Sequence, residues 1–254
     1  MYLRSVHAEG SIPILRQLIR SNPLGILTTA ISSSHYPKIL SSHIPFLLDV
    51  QDESSETELG NLRGHVARAN PQTKSMIEHL ETCNKPSGSF LEEEVLVLFT
   101  ATAHHYVTPK FYTETKPDTG KVVPTWNYSA VQAYGRARIY FDSSAVETNA
   151  FLSKQIRDLS QYAEEKVMGF DGQDGRKKAW GVDDAPDQYV GALQKAIIGI
   201  EIELDRLEGK VKMSQELKDG DREGVVKGFE ELGTDVAKEI SRTVKERGNI
   251  VPPS

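Results

Sequence analysis

Apolar positions along this chain fall into two rhythms, one of helical spacing and one of strict alternation. Between Ser11 and Ser21, Ile14, Leu15, Leu18 and Ile19 share one helical face, with Ser11 placed to cap the first amides and Asn22-Pro23 to stop the helix. Two apolar runs follow, Gly25 to Ala30 and Lys38 to Val50. The turn formers SSSHYP separate them, which predicts a β-hairpin in one sheet. The polar, acidic stretch Gln51 to Leu59 reads as a loop. After it, GHVARANPQTKSMIEHL reads as helical on both sides of a break at Asn70-Pro71.

Glu81 to Glu94 is loop-like, and Val95 to Phe99 is apolar at every position, as in a strand buried on both faces. Tyr112 to Gly120 is a polar excursion. From Asn127 to Phe141 the period is two, which predicts a long half-buried strand. A helix is predicted from about Ser143 to Lys166, with Leu152, Ile156, Leu159 and Ala163 on one stripe. Phe170 to Pro186 has no pattern and suits a lid or mobile segment. Ile198 to Leu204 alternates as the last strand, and two helices fill a tail over about 220–247. About six strands with interspersed and terminal helices predict one α+β domain over 1–254. A small barrel is favoured, because no strand has the charged, proline-blunted look of an exposed edge.

Charge narrows the range of functions. Thirty basic and 36 acidic residues give a net −6, so nothing in bulk electrostatics draws the chain to nucleic acid or to an anionic membrane. Cys83 is the sole cysteine, which rules out an internal disulfide and a cysteine-based zinc site. The opening MYLRSVHAEGSIPILRQL lacks a secretory apolar core, and no run reaches the ~20 apolar residues of a bilayer span. The expectation is a protein of the reducing cytoplasm, or of the nucleus if it regulates transcription, with no membrane partner.

Neither a dinucleotide fingerprint nor a P-loop is present. His104 and His105, if on a strand, point to opposite faces and cannot chelate one ion, so no metal site is expected. Four segments interrupt apolar runs with polar and aromatic residues: SSHIPF (41–46), GHVARANP (64–71), HYVTPKFY with VPTWNY (105–112, 123–128), and EGKVKMSQE (208–216). Arg68 near amides at a helical turn suits a phosphate, and Trp126, Tyr128 and Tyr106 suit an aromatic plane. Lys210, Ser214 and Gln215 offer a cation and donors. Phosphate plus flat heterocycle is nucleotide-like chemistry. Ordinary strand-end turns and a solvated basic tail are the alternative on spacing alone.

These segments, in this order and with NPLGILTT (22–29), VLVLF and AIIGIEIELDRLEGKVKMSQ, make the chain resemble the PaiB-like family of FMN-binding negative transcriptional regulators. The resemblance implies an FMN-binding split β-barrel of the flavin-reductase and pyridoxine-phosphate-oxidase type, with peripheral and C-terminal helices. It further implies a homodimer with FMN at the subunit interface. Carried over by position, Ser41, Ser42 and His43 lie on a strand beside the cofactor. His65, Arg68 and Asn70 face the phosphate and ribityl oxygens. Tyr106, Thr108, Trp126, Asn127 and Tyr128 form an aromatic and polar wall, and Lys210, Ser214 and Gln215 reach the site from the C-terminal part. Arg4, Thr73 and Glu216 depart from the family pattern, and Glu216 puts an anion where a phosphate would approach.

Three functions follow from the resemblance. One is an FMN-dependent oxidoreductase, for which no catalytic acid or base is named. A second is a regulator acting through DNA or a protein partner, although no basic recognition helix is evident. The third is a haem-binding or haem-degrading protein using histidines at 43, 65, 104 or 105.

Overall fold

The computed structural model describes residues 1–248; the last six residues of the expected domain lie outside the described residues. The chain begins with β1 (Ala8–Glu9), α1 (Ile12–Ser21), the hairpin β2 (Leu24–Ala30) and β3 (Ile39–Pro45), then β4 (Leu47–Asp49), β5 (Asn61–Ala67) and α2 (Pro71–Thr82). Next come β6 (Ser89–Phe90), β7 (Val95–Thr100), β8 (His105–Val107), α3 (Thr115–Thr119), β9 (Thr125–Tyr140) and α4 (Val146–Tyr162). The last elements are α5 (Asp187–Lys195), β10 (Ile197–Lys212), α6 (Asp219–Leu232) and α7 (Asp235–Gly248). Hydrogen bonding orders the strands β3-β2-β7-β9-β10-β5-β4, with β1 on β10 and both β6 and β8 on β9. The class is α+β, an antiparallel half-barrel sheet with peripheral and C-terminal helices, as the resemblance implies.

The chain groups into two compact units. Unit 2 comprises residues 23–97 and 133–206. Its hairpin pairs Leu24 with Pro45 through to Ala30 with Ile39, and β5 pairs with β10 from Ala67↔Ile197 to Asn61↔Glu203. Leu27, Ile44, Phe46, Leu62, Ile200 and Ile202 are buried, each stabilising by about 1.5–3 kcal/mol relative to exposure. Helix α4 is held to β5 by Arg63, which donates to Asp49, to Gln155 (3.1 Å) and to Asp158 (2.9 Å). A Cβ on Gly199 would stand 2.4 Å from the Phe151 ring, so α4 approaches β10 as closely as only glycine permits.

Unit 1 comprises 1–22, 98–132 and the chain from 207 onward. Val107, Val211, Met213, Val225, Phe229 and Ile240 form its core, so α6 and α7 close on β8 and on the end of β10. His7 bonds Glu216 at 3.0 Å and Arg247 donates to Glu9 at 2.6 Å, which fastens the first residues to the turn before α6 and to α7.

Several elements differ from the sequence reading. Residues 61–67 form a strand rather than a helix, and Asn70-Pro71 opens α2 instead of breaking a longer helix. Glycine at 64 and a buried arginine at 63 conceal the alternation there, because Gly64 is small against Phe46 and Arg63 is buried for its ion pairs. Strand β10 runs on to Lys212, so Lys210 and Lys212 lie on a strand rather than in a tail. Val95, Val97 and Phe99 are buried while Leu96 and Leu98 are half-buried. The count of about six strands falls short by the short strands β1, β4, β6 and β8, and α5 follows the unpatterned 170–186 stretch.

Candidate functional site

In unit 2, two of the expected residues, Ser42 of β3 and Asn70 at the start of α2, are brought together. Asn70 is the N-cap of α2: its backbone is extended, its Oδ1 accepts from the Gln72 N–H (2.8 Å), and Pro71 occupies the first helical position, where no donor is lost. The Asn70 Nδ2 donates to Ser42 Oγ at 2.9 Å. Gln72 Nε2 donates to Leu27 O, Thr29 Oγ1 and Leu40 O, bolting this helix end onto the hairpin. Sequence reasoning missed Gln72, although an Asn-Pro pair opening an apolar-periodic helix is the signal for a cap whose next side chains turn inward.

Strand alternation divides the other hairpin candidates. Ser42 faces Asn70, whereas Ser41 and His43 point to the opposite, exposed face, where Ser41 Oγ lies 2.9 Å from Thr28 Oγ1. Arg68 follows β5 and is half-buried. Its N–H donates to Ala196 O (2.8 Å) and its Nη2 to Phe141 O (2.5 Å). It also borders an open cavity of about 480 Å3 shared with Lys85, Ser87 and Asp142, so the guanidinium remains reachable.

His65 does not join this group. It shares a face of β5 with Arg63, which bonds α4, and it stands opposite Gly199, whose Cβ direction leads to Phe151 of α4. Its Nδ1 is buried with no hydrogen-bond partner, and burial pushes the imidazole pKa below its ordinary value.

In unit 1, β8 pairs with β9 so that Tyr106 lies opposite Trp126. The two rings meet edge to face at 6.3 Å and remain 43 % and 49 % exposed. Trp126 Nε1 donates to His104 Nδ1 at 3.3 Å. Lys210 Nζ stands 5.5 Å from the Tyr128 ring centroid and donates to Tyr2 O.

The remaining candidates serve the unit itself. Asn127 and Ser214 are fully buried and bond each other in both directions, at 3.0 and 3.2 Å. Gln215 accepts from Met213 N–H and donates to Val211 O, bracing a turn in which Ser214 takes a left-handed φ of 63°. Thr108 caps the short turn Pro109–Phe111. Glu216, flagged in the sequence as an unwelcome anion, is paired with His7 and Lys212 (3.3 Å). Its carboxyl pKa is lowered: burial opposes ionisation, but these partners outweigh it. Among the described residues no group of three or more His, Cys, Asp or Glu side chains could hold a metal ion, and no helix is long and apolar enough to cross a membrane.

Unit 2 therefore offers an amide and a hydroxyl at a capped helix N-terminus, which fit a polyol chain, and, two residues earlier in the chain, a reachable guanidinium, which fits a phosphate. The exposed aromatic pair and Lys210 of unit 1 fit a planar, electron-poor heterocycle. Each unit, taken by itself, carries part of the donor chemistry that a flavin mononucleotide calls for. The chain belongs to the FMN-binding family whose model is described as "Putative FMN-binding domain", which matches residues 1–206. FMN is accordingly its cofactor. The chain is 56 % identical over 258 residues to an uncharacterised protein of Aspergillus fumigatus and 59 % identical over 254 residues to one of Emericella nidulans, each match covering 98 % of both chains. It is 23 % identical to the protease synthase and sporulation protein PAI 2 of Bacillus subtilis, covering 97 % of this chain and 98 % of that one. Among solved structures, a conserved hypothetical protein of Mycobacterium tuberculosis matches with a TM-score of 0.47 at 11 % identity, over 86 % of this chain and 94 % of that one.

Proposed function

We propose that the protein is an FMN-dependent oxidoreductase, acting as a homodimer, in which unit 2 holds the phosphate and ribityl end of FMN. The observation that carries this reading is the Asn70–Ser42 bond at the capped start of α2, two residues after the reachable cation Arg68. The Arg68 guanidinium supplies the charge a phosphate needs, its carbonyl partners fix its direction, and Ser42 and Asn70 present a hydroxyl and an amide to ribityl oxygens. Ser41 and His43, on the outer face of β3, and His65, on the α4 side of β5, stand outside this grip. Within unit 1, taken by itself, Tyr106, Trp126, Tyr128 and Lys210 form an aromatic and cationic surface, and Asn127, Ser214, Gln215 and Thr108 hold the backbone that presents it. Bound FMN would supply electron transfer in one- or two-electron steps, and the chain's part is to bind, orient and shield it.

The test is an anaerobic titration of the FMN-loaded protein with NADH and NADPH, followed in the visible flavin band. Bleaching by either nucleotide is expected. A band that persists with both, while dithionite still bleaches it, contradicts the oxidoreductase reading and leaves a regulator that uses FMN as a ligand.

A further inference from the structure

Lys210 and Lys212 stand two apart on β10 and share a face, but unit 1 uses them differently. Lys210 Nζ lies 5.8 and 5.5 Å from the ring centroids of Tyr2 and Tyr128 and makes one bond, to Tyr2 O. Lys212 is turned into the protein, its side chain only 16 % exposed. Its ammonium has three oxygen partners, one for each donor: Thr125 Oγ1, Trp126 O at 3.2 Å and Glu216 Oε1 at 3.3 Å. The other Glu216 oxygen bonds the buried His7 at 3.0 Å. Strand β1 follows His7 directly and pairs Ala8 with Lys210, so the far end of this relay is fixed to the strand that carries Lys212.

Trp126 is otherwise loosely held. Half of it is exposed, its Nε1 makes one long bond, to His104 at 3.3 Å, and the Tyr106 ring meets it edge-on at 6.3 Å rather than lying flat against it. The pose of the ring therefore depends on its own peptide, whose carbonyl is one of the Lys212 acceptors. A lysine held at three points gives up rotamer freedom, and a half-buried ion pair gains little stability over apolar residues of the same volume. What the relay adds is a fixed ammonium beneath the aromatic surface. We infer that Lys212, oriented by Glu216 and His7, is a positioning residue that holds Trp126 in the pose a flat heterocycle meets. This rests on the reading that the surface of unit 1, by itself, fits such a heterocycle. It gives Glu216, the anion that departs from the family pattern, the work of orienting a lysine.

Lumiflavin, which carries the isoalloxazine without ribityl chain or phosphate, is the probe, titrated into the full-length chain and followed by its fluorescence. Saturable binding by the parent is expected, weakened about tenfold in Lys212→Met and in Trp126→Leu. The double variant should lose no more than either, because a residue that acts through Trp126 has no effect once that ring is gone. In a Trp180→Phe background, where Trp126 is the sole tryptophan, Lys212→Met should also speed the decay of its fluorescence anisotropy. If Lys212→Met fails to fold, Thr125→Val, which removes one acceptor, gives the same readouts. No saturable binding by the parent, or parent-like binding by Trp126→Leu, removes the heterocycle reading and the positioning role with it. The positioning role alone is overturned if Trp126→Leu weakens binding while Lys212→Met does not, if the two losses multiply in the double variant, or if the anisotropy decay is unchanged.

Discussion

Tyr140 shows how one side chain ties burial to charge in unit 2. It is nearly buried, stacks on Phe151 with ring centroids 4.2 Å apart, and donates its hydroxyl to Glu201 at 3.0 Å. Burial first, and the Glu201 carboxylate second, push its phenol up to about 12 from 10.0. A folded-state pKa above the unfolded one favours the neutral phenol. The stabilisation is full below pH 10 and is lost as pH rises toward about 12. Tyr140→Phe should therefore unfold with a flatter alkaline limb than the parent across that window. Urea midpoints measured at intervals of pH check this, and parallel limbs would contradict it. At the same scale, the site was only partly legible in the sequence. Arg68 could be singled out from residue type beside a helical turn, whereas Ser42 and Asn70 came in only with the family resemblance. The opposite orientation of Ser41 and His43 follows from strand alternation once β3 is recognised. The inward use of Gln215 could not be read, because it depends on Ser214 adopting a left-handed backbone that no residue type at that position announces.

Among the elements, α2 is the one on which the proposed grip of unit 2 depends, and its start is set by Asn70. Replacing that side chain removes the bond to the Gln72 N–H and the bond to Ser42 together. Asn70→Ala should cost about 1–2 kcal/mol in denaturant unfolding at unchanged m-value, whereas Asn70→Asp, which still caps, should recover most of it. Equal stability of the alanine variant would mean that the cap contributes nothing to α2. The strands show where pattern reading succeeds and where it fails. The hairpin β2–β3 was legible because apolar runs flank a serine-, proline- and histidine-rich turn. The strand β5 was not, since Arg63 and Gly64 stand at buried positions where the periodic signal requires apolar side chains. The second half of β10 was hidden in the same way: its buried positions are Gly209 and Val211, set among Glu208, Lys210 and Lys212, too little apolar signal to outweigh the charge.

For the whole molecule, the proposed homodimer has a physical motive in unit 2. On the outer face of the hairpin, Leu24 and Ile39 are 58 % and 67 % exposed, and β3 ends the hydrogen-bonded order of strands. Exposed apolar side chains at both ends of a hairpin whose outer strand has an unpaired edge are a liability unless they are covered. Light scattering should give twice the 28.2 kDa chain mass for the parent, and the chain mass for Ile39→Lys with the fold retained. A parent that is monomeric at every concentration would remove the dimer from the account.

The central claim is that unit 2 grips FMN by its phosphate through Arg68, and the most direct measurement compares FMN with riboflavin, which has the same ring and ribityl chain without the phosphate. Flavin-fluorescence titrations of the parent and of Arg68→Ala give four affinities. The account predicts that the parent binds FMN well ahead of riboflavin, and that Arg68→Ala loses most of that preference while its riboflavin affinity stays nearly the same. A variant that keeps the parent's preference for FMN would contradict it and place the phosphate elsewhere.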